Sequence, residues 1–183
     1  MWIATAALTF FFLTGRVSSI TVSAVLTLHW LWAGVVYHAM FFTPINPAAW
    51  LFAVAFVGEA FAFAWFGIVM RRLVFDQGKT ARGLLAAIFM VYALAYPAIV
   101  VATGHAYPRA PIFAVPCPTA LFTTGVLLSL RSGSSRSIFL IPIAWSIIGG
   151  SAALLLGMTP DLMLFAAAGF LIEKFSSLAA RPS

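Results

Sequence analysis

Apolar residues run along this chain in long stretches. Turn-forming and charged residues interrupt them at short intervals. Runs of this length with so few breaks predict helices that bury apolar side chains on every face. Seven are predicted, over residues 2–13, 19–41, 47–70, 83–102, 118–130, 137–156 and 160–178. Their boundaries are Thr14-Gly15-Arg16, the turn Phe42-Thr43-Pro44-Ile45-Asn46, the polar segment 71–82, the Pro-rich segment 103–117, the Ser/Gly loop 131–136 and Gly157-Met158-Thr159.

Composition fixes the solvent for such helices. Of 183 residues, 63% are hydrophobic and 8% charged, against roughly a quarter charged in a soluble domain. No Asp, Glu, Lys or Arg occurs between Val17 and Gly58. A bilayer accommodates this and water does not. The expected fold is all-α: a single polytopic transmembrane bundle over residues 1–183. Two helices are short. Twelve residues reach about 18 Å, less than a hydrocarbon core about 30 Å thick. The first helix therefore enters partway or begins further upstream. The fifth has an irregular lead-in at Pro111, Pro116 and Pro118 that dips into the outer leaflet. No cleavable signal peptide is evident.

Charge then orients the bundle. Arg16, Arg71, Arg72, Lys79, Arg82, Arg131, Arg136, Lys174 and Arg181 fall on one set of ends, and only Arg109 on the other. The positive-inside rule puts the nine in the cytoplasm, with the N-terminus outside and the C-terminus inside. This alternation requires an odd number of spans. The location expected is a bacterial inner membrane. The net charge of +6 is topological anchoring, not a nucleic-acid footprint. One cysteine, Cys117, excludes an internal disulfide and any zinc site built from several thiolates.

Candidate chemistry sits at two depths. Glu59 is the carboxylate deep in a helix, thirteen residues after Asn46, and His29 lies seventeen before it. In an antiparallel hairpin both fall near the bilayer middle, as an ionisable pair for a proton relay or cation site. The structural reading is a neutral Glu that holds helices together. At the outer side, helices 3, 5 and 7 start with Asn46-Pro47, Cys117-Pro118 and Thr159-Pro160. Ordinary capping explains these. Alternatively, three positive helix ends converge on one anion-attracting vestibule. Asn46, His38, His105, Cys117 and Thr159 line that vestibule. A capping Cys117 would be thiolate-prone; otherwise it packs as a small hydrophobe. His38, His105 and Cys117 are also a candidate N,N,S metal set, with a haem between His38 and His105 a weaker option. His29 and His38 are half a turn out of phase and face opposite sides. Lys174 is too close to a helix end for a central Schiff base.

Two stretches carry a resemblance. One is His29-Trp30-Leu31-Trp32 through His38 to Ile45-Asn46-Pro47-Ala48-Ala49. The other is Phe113-Ala114-Val115-Pro116-Cys117-Pro118-Thr119, then Thr124-Gly125-Val126-Leu127-Leu128. Together they resemble an uncharacterised family of bacterial multi-pass membrane proteins, a domain of unknown function. The family's second motif often reads Pro-Asp-Pro-Thr, so Cys117 departs from it. Its first helix is longer, which implies a shortened N-terminus here. The resemblance implies a membrane protein and no mechanism.

The function expected is small-solute or ion transport through the Glu59/His29 site. The alternative is a non-catalytic subunit or scaffold of a larger membrane complex, binding a pigment, haem or metal. An enzyme is not expected, since the sequence shows no nucleophile–base pair and no phosphate loop. The cofactor is left open. The partners are the lipid bilayer and membrane proteins or further copies of the chain.

Overall fold

A computed structural model describes residues 1–76, 81–104, 115–131 and 135–179. These form seven α-helices and no strands beyond one isolated bridge. They are α1 (Trp2–Leu13), α2 (Ser19–Trp32), α3 (Ala49–Phe63), α4 (Ala81–Ala102), α5 (Pro116–Leu128), α6 (Leu140–Leu156) and α7 (Met163–Ala179). The apolar runs do become helices, with boundaries shifted by a few residues. Two helices continue in wider i→i+5 turns, α2 through Ala33–Phe42 and α3 through Ala64–Val69. These turns close with Thr43 N donating to His38 O at 3.1 Å and Met70 N to Trp65 O at 2.8 Å. Single 3₁₀ turns lead into α6 and α7, at Arg136–Phe139 and Thr159–Leu162.

Among the described residues, four helical segments are long and apolar enough to cross a membrane: Ser19–Phe42, Ala49–Val69, Arg82–Ala102 and Arg136–Leu156. α1 and α5 are apolar but shorter. Trp2 donates its indole N–H to Leu94 O at 3.0 Å. The start of α1 is thereby level with a residue eight short of the end of α4, about 12 Å along the axis. Pro97, inside α4, cannot donate to its own helix in that same turn. The outer faces of the bundle are apolar, with Leu155, Ile3, Ile45 and Leu51 each more than two-thirds exposed. So much exposed hydrocarbon calls for an apolar partner phase.

The core is built around α5. Every residue from Pro118 to Leu130 is buried, enclosed by α2, α4, α6 and α7. Small side chains permit this. A Cβ on Gly125 would stand 2.6 Å from the Ala86 carbonyl oxygen and 2.7 Å from Met90 Cγ, so α4 and α5 touch backbone to backbone. Two of the three α5 hydroxyls have partners, and the third, Thr119 Oγ1, is buried without one. Thr124 donates to Ala120 O at 2.8 Å, and Thr123 accepts from the Trp30 indole at 2.9 Å.

One end of the bundle gathers the basic loops. Phe75 and Leu130 pair antiparallel, with Asp76 N donating to Ser129 O at 2.6 Å and Arg131 N to Val74 O at 2.8 Å. Phe75 N also donates to Ser19 Oγ at 3.4 Å, and the Arg136 guanidinium lies 5.6 Å above the Phe175 ring. Arg16, Arg71, Arg72, Arg131, Arg136 and Lys174 therefore share one end, in line with the charge pattern. Lys79, Arg109 and Arg181 lie outside the described residues. At the opposite end Gly157 turns the chain after α6 with φ 68°, the left-handed C-terminal stop that glycine adopts freely.

Candidate functional site

The start of α5 is recessed inside the bundle. Tyr96 lies six residues, about 9 Å along the axis, before the end of α4, and the site forms at its level. The 3₁₀ turn before α7 brings Asp161 there, only 8% exposed. The Tyr96 hydroxyl donates to Asp161 Oδ1 at 2.5 Å. The Cys117 thiol, in the first turn of α5, is a second donor to the same carboxyl. Tyr92, one turn earlier on α4, donates to Pro160 O at 2.8 Å and so fixes the backbone next to the acid. Tyr37 approaches Cys117 and Asp161 from the extension of α2. Four elements thus converge on one carboxyl. It sits at the amino ends of two helices, where the backbone dipole favours negative charge.

Sequence reasoning passed over Asp161. It named Thr159-Pro160 as a helix start at the outer vestibule, one residue short of the acid. The available signal was that Asp161 and Glu59 are the two acids set within apolar runs, whereas Asp76 and Glu173 each have a basic residue within three positions.

Geometry corrects the capping pattern. α5 begins at Pro116, with Val115 as the N-cap and no side-chain cap bond. Proline opens a helix at no cost to its hydrogen bonding, so the helix starts two residues earlier than expected. Cys117 is then inside the first turn and faces Asp161. Thr159 is exposed and caps nothing. Asn46 does accept a backbone amide, from Ala48 N at 3.0 Å, but it is exposed in the turn before α3. The anticipated vestibule therefore reduces to the starts of α5 and α7.

His38 is fully buried, not part of an open vestibule. Its ring packs on Phe56 at 4.7 Å, Trp145 at 5.2 Å and Phe52 at 5.6 Å between centroids. Neither ring nitrogen has a hydrogen-bond partner. Trp145 links His38 to the acid. Its indole N–H is directed toward the Cys117 sulfur but finds no acceptor at hydrogen-bond geometry.

Glu59 and His29 are both buried, at 2% exposure each, and share a depth. Trp30 fixes that depth by packing against Phe56 and Phe63 of α3 while bonding to Thr123 of α5. The structure does not join the two in a hydrogen bond. His29 directs Nδ1 to Val25 O at 2.8 Å and Nε2 to Thr5 Oγ1 at 2.9 Å, and its ring stacks on Phe122. Oε1 of Glu59 has no partner. Neighbouring helical residues diverge by 100°. With Trp30 turned to α3, His29 is turned to α1 and α5.

His105 lies outside the described residues. Among those described, no three His, Cys, Asp or Glu side chains form a metal-binding group. What the site offers is a buried carboxyl held by phenol and thiol donors, with a second buried carboxyl deeper in the bundle. Such a pair can take up and release protons or hold a small cation.

The chain belongs to a family of unknown function, DUF6064, whose model matches residues 1–176. No curated protein and no solved structure matches it.

Proposed function

We propose that this member of the DUF6064 family is a multi-pass protein of a bacterial inner membrane that moves a small polar solute or ion across the bilayer. The observation that carries this reading is Asp161, a carboxyl buried beneath Tyr96 and Cys117 in an otherwise apolar bundle. Ionisable groups are expensive in hydrocarbon and mark ion or substrate paths in membrane bundles. Helix starts recessed within a bundle are the usual makings of a transporter binding site.

The gathered basic end faces the cytoplasm on the positive-inside rule. The start of α5 and Asp161 then open toward the outside. The solute meets Asp161 first, and Glu59 lies about 9 Å deeper, the six residues from Cys117 to Thr123 on α5. This moves the centre of the site from the Glu59/His29 pair to Asp161 and keeps Glu59 as the inner acid.

A scaffold role is the second reading. A wholly apolar groove of about 270 Å³ between α2 and α3, lined by Gly34, Val35, Ala39, Trp50, Ala53, Val54 and Val57, favours it. Such a face suits a neighbouring membrane helix or a second copy of the chain.

Current recording on proteoliposomes separates the two. Concentration jumps of protons, sodium, potassium, ammonium and small alkylamines are applied to wild type and Asp161→Asn. Transport requires a charge displacement for at least one of these in wild type and its loss in the variant. Silence across the panel in wild type, or full current in Asp161→Asn, overturns the transport reading.

A further inference from the structure

Among the described residues six side chains hold buried hydrogen-bonding atoms with nothing to bond; Thr119, Ser129 and Ser146 are three of them, and the other three lie at Glu59 and outward of it. The atoms of these other three are both ring nitrogens of His38, Nε1 of Trp145 and Oε1 of Glu59. They are contiguous through rings. Trp145 touches His38, and Phe56 touches both, at 5.0 Å to Trp145. Glu59 is one turn inward of Phe56, about 4.5 Å along α3. Each unsatisfied polar group in a low-dielectric interior costs about 1–3 kcal/mol. Structures keep such groups for a redox, catalytic or water-binding reason. An imidazole whose purpose was packing would be replaced by phenylalanine at no loss, and phenylalanines already surround it.

We infer that His38 passes protons between the Asp161 cluster and Glu59, with water as the intervening carrier. The inference rests on the reading of Asp161 as the outward acid. It adds that the proton is the transported or coupled ion, and that His38 and Glu59 lie on its route.

The chemistry balances with water alone. A neutral imidazole has one bare nitrogen and one N–H. A proton delivered from the Asp161 side bonds to the bare nitrogen. The N–H on the other nitrogen then breaks, its proton passes to water on the Glu59 side, and the electron pair stays on the ring. Imidazole is left neutral in its other tautomer, and the return hop or a ring rotation resets it. Water suits the unpartnered atoms because it both donates and accepts. The Trp145 N–H, directed toward Cys117, orients it at the outer end.

The groups around His38 leave it free to do this. Phe52 and Phe56 come from α3, Trp145 from α6, and Phe42 and Tyr37 from its own helix. Tyr37, which is in ring contact with His38, itself lies within electrostatic reach of Cys117 and Asp161. Among the described residues no charged side chain is in ring contact with it.

Infrared spectroscopy of the reconstituted protein on transfer to D₂O tests this without any solute. The carboxyl C=O bands of Glu59 and Asp161 are assigned by their loss in Glu59→Gln and Asp161→Asn. In wild type the Glu59 band is expected to shift within minutes. In His38→Phe its exchange should slow about a hundredfold, the scale of a positioned proton-transfer group, while the Asp161 band exchanges as before. His38→Gln keeps a donor and an acceptor but takes up no proton. It should show the same slowing, and it serves if the Phe variant does not fold. A Glu59 band that is absent, or unshifted after hours in wild type, overturns the inference. So does exchange in both His38 variants at the wild-type rate. A protein that exchanges Glu59 through His38 but carries none of the tested solutes sinks the transport reading alone. One that carries solute with Glu59 sealed sinks this inference alone.

Discussion

Tyr96 and Asp161, 65 residues apart in sequence, meet in a 2.5 Å hydrogen bond in the interior of the bundle. The bond joins α4 to the turn before α7 and sets where α7 begins. Removing one partner leaves the other buried and short of a bond. Tyr96→Phe and Asp161→Leu, which removes both acceptor oxygens, are each expected to lower stability by about 1–3 kcal/mol. The two losses should not add, because they break the same contact, and the coupling should exceed about 0.5 kcal/mol. Denaturant titration of the single and double variants in detergent checks this. Strict additivity would mean that the two groups act independently.

Glycines at α5 and α3 predict opposite outcomes for one substitution. At Gly125 a methyl group meets the Ala86 carbonyl and Met90, so Gly125→Ala must part α4 from α5 and should cost about 1–3 kcal/mol. At Gly58 a Cβ meets nothing within 4 Å, so Gly58→Ala should be neutral or stabilise by up to about 1 kcal/mol. A melting-temperature comparison of the two variants decides, and similar values would contradict the packing of α4 on α5.

Trp30 holds α2 to α5 through Thr123. Trp30→Phe keeps most of the ring volume and strands the hydroxyl, with an expected loss of about 1–3 kcal/mol. Adding Thr123→Val removes the stranded group and should recover part of that loss. A double variant weaker than the single one would show that the hydroxyl has another partner.

Sidedness is open to thiol labelling, since Cys117 is the one native thiol. In a Cys117→Ala background, Asn46→Cys and Thr159→Cys replace exposed residues at one end, and Arg16→Cys and Arg131→Cys replace exposed residues at the other. A membrane-impermeant maleimide added to intact cells should modify the first two, and the second two only after permeabilisation. The reverse pattern would invert the orientation proposed from charge.

The helices were legible because their determinants are local. Apolar runs, Gly15, the Pro44–Pro47 turn and the Gly157 stop all act within a few residues of themselves. Even the shortness of α1 could be read, and the Trp2–Leu94 bond shows at what level it begins. The site was not legible because it depends on helix rotation and long-range packing. Glu59 and His29 were expected at one depth, and Trp30 puts them there. It also turns His29 toward Thr5, which no count of residues along two helices reveals. Asp161 goes unmarked beside Thr159-Pro160 until Tyr96 folds over it. His38 reads as a vestibule residue until Phe52, Phe56 and Trp145 close around it.

The burial of α5 on all sides has a consequence for how the protein is made. At thirteen residues it extends about 20 Å, too short to span a bilayer alone, and no residue from Pro118 to Leu130 is left to face lipid. Partitioning from the translocation machinery into lipid cannot settle it, because its stable surroundings are other helices. Three of them, α2, α6 and α7, hold it along with α4, and the last two are synthesised after it. Its packing partners are complete only once α6 and α7 have been made. Truncation before α7 would therefore strand the middle of the protein as well as remove its end.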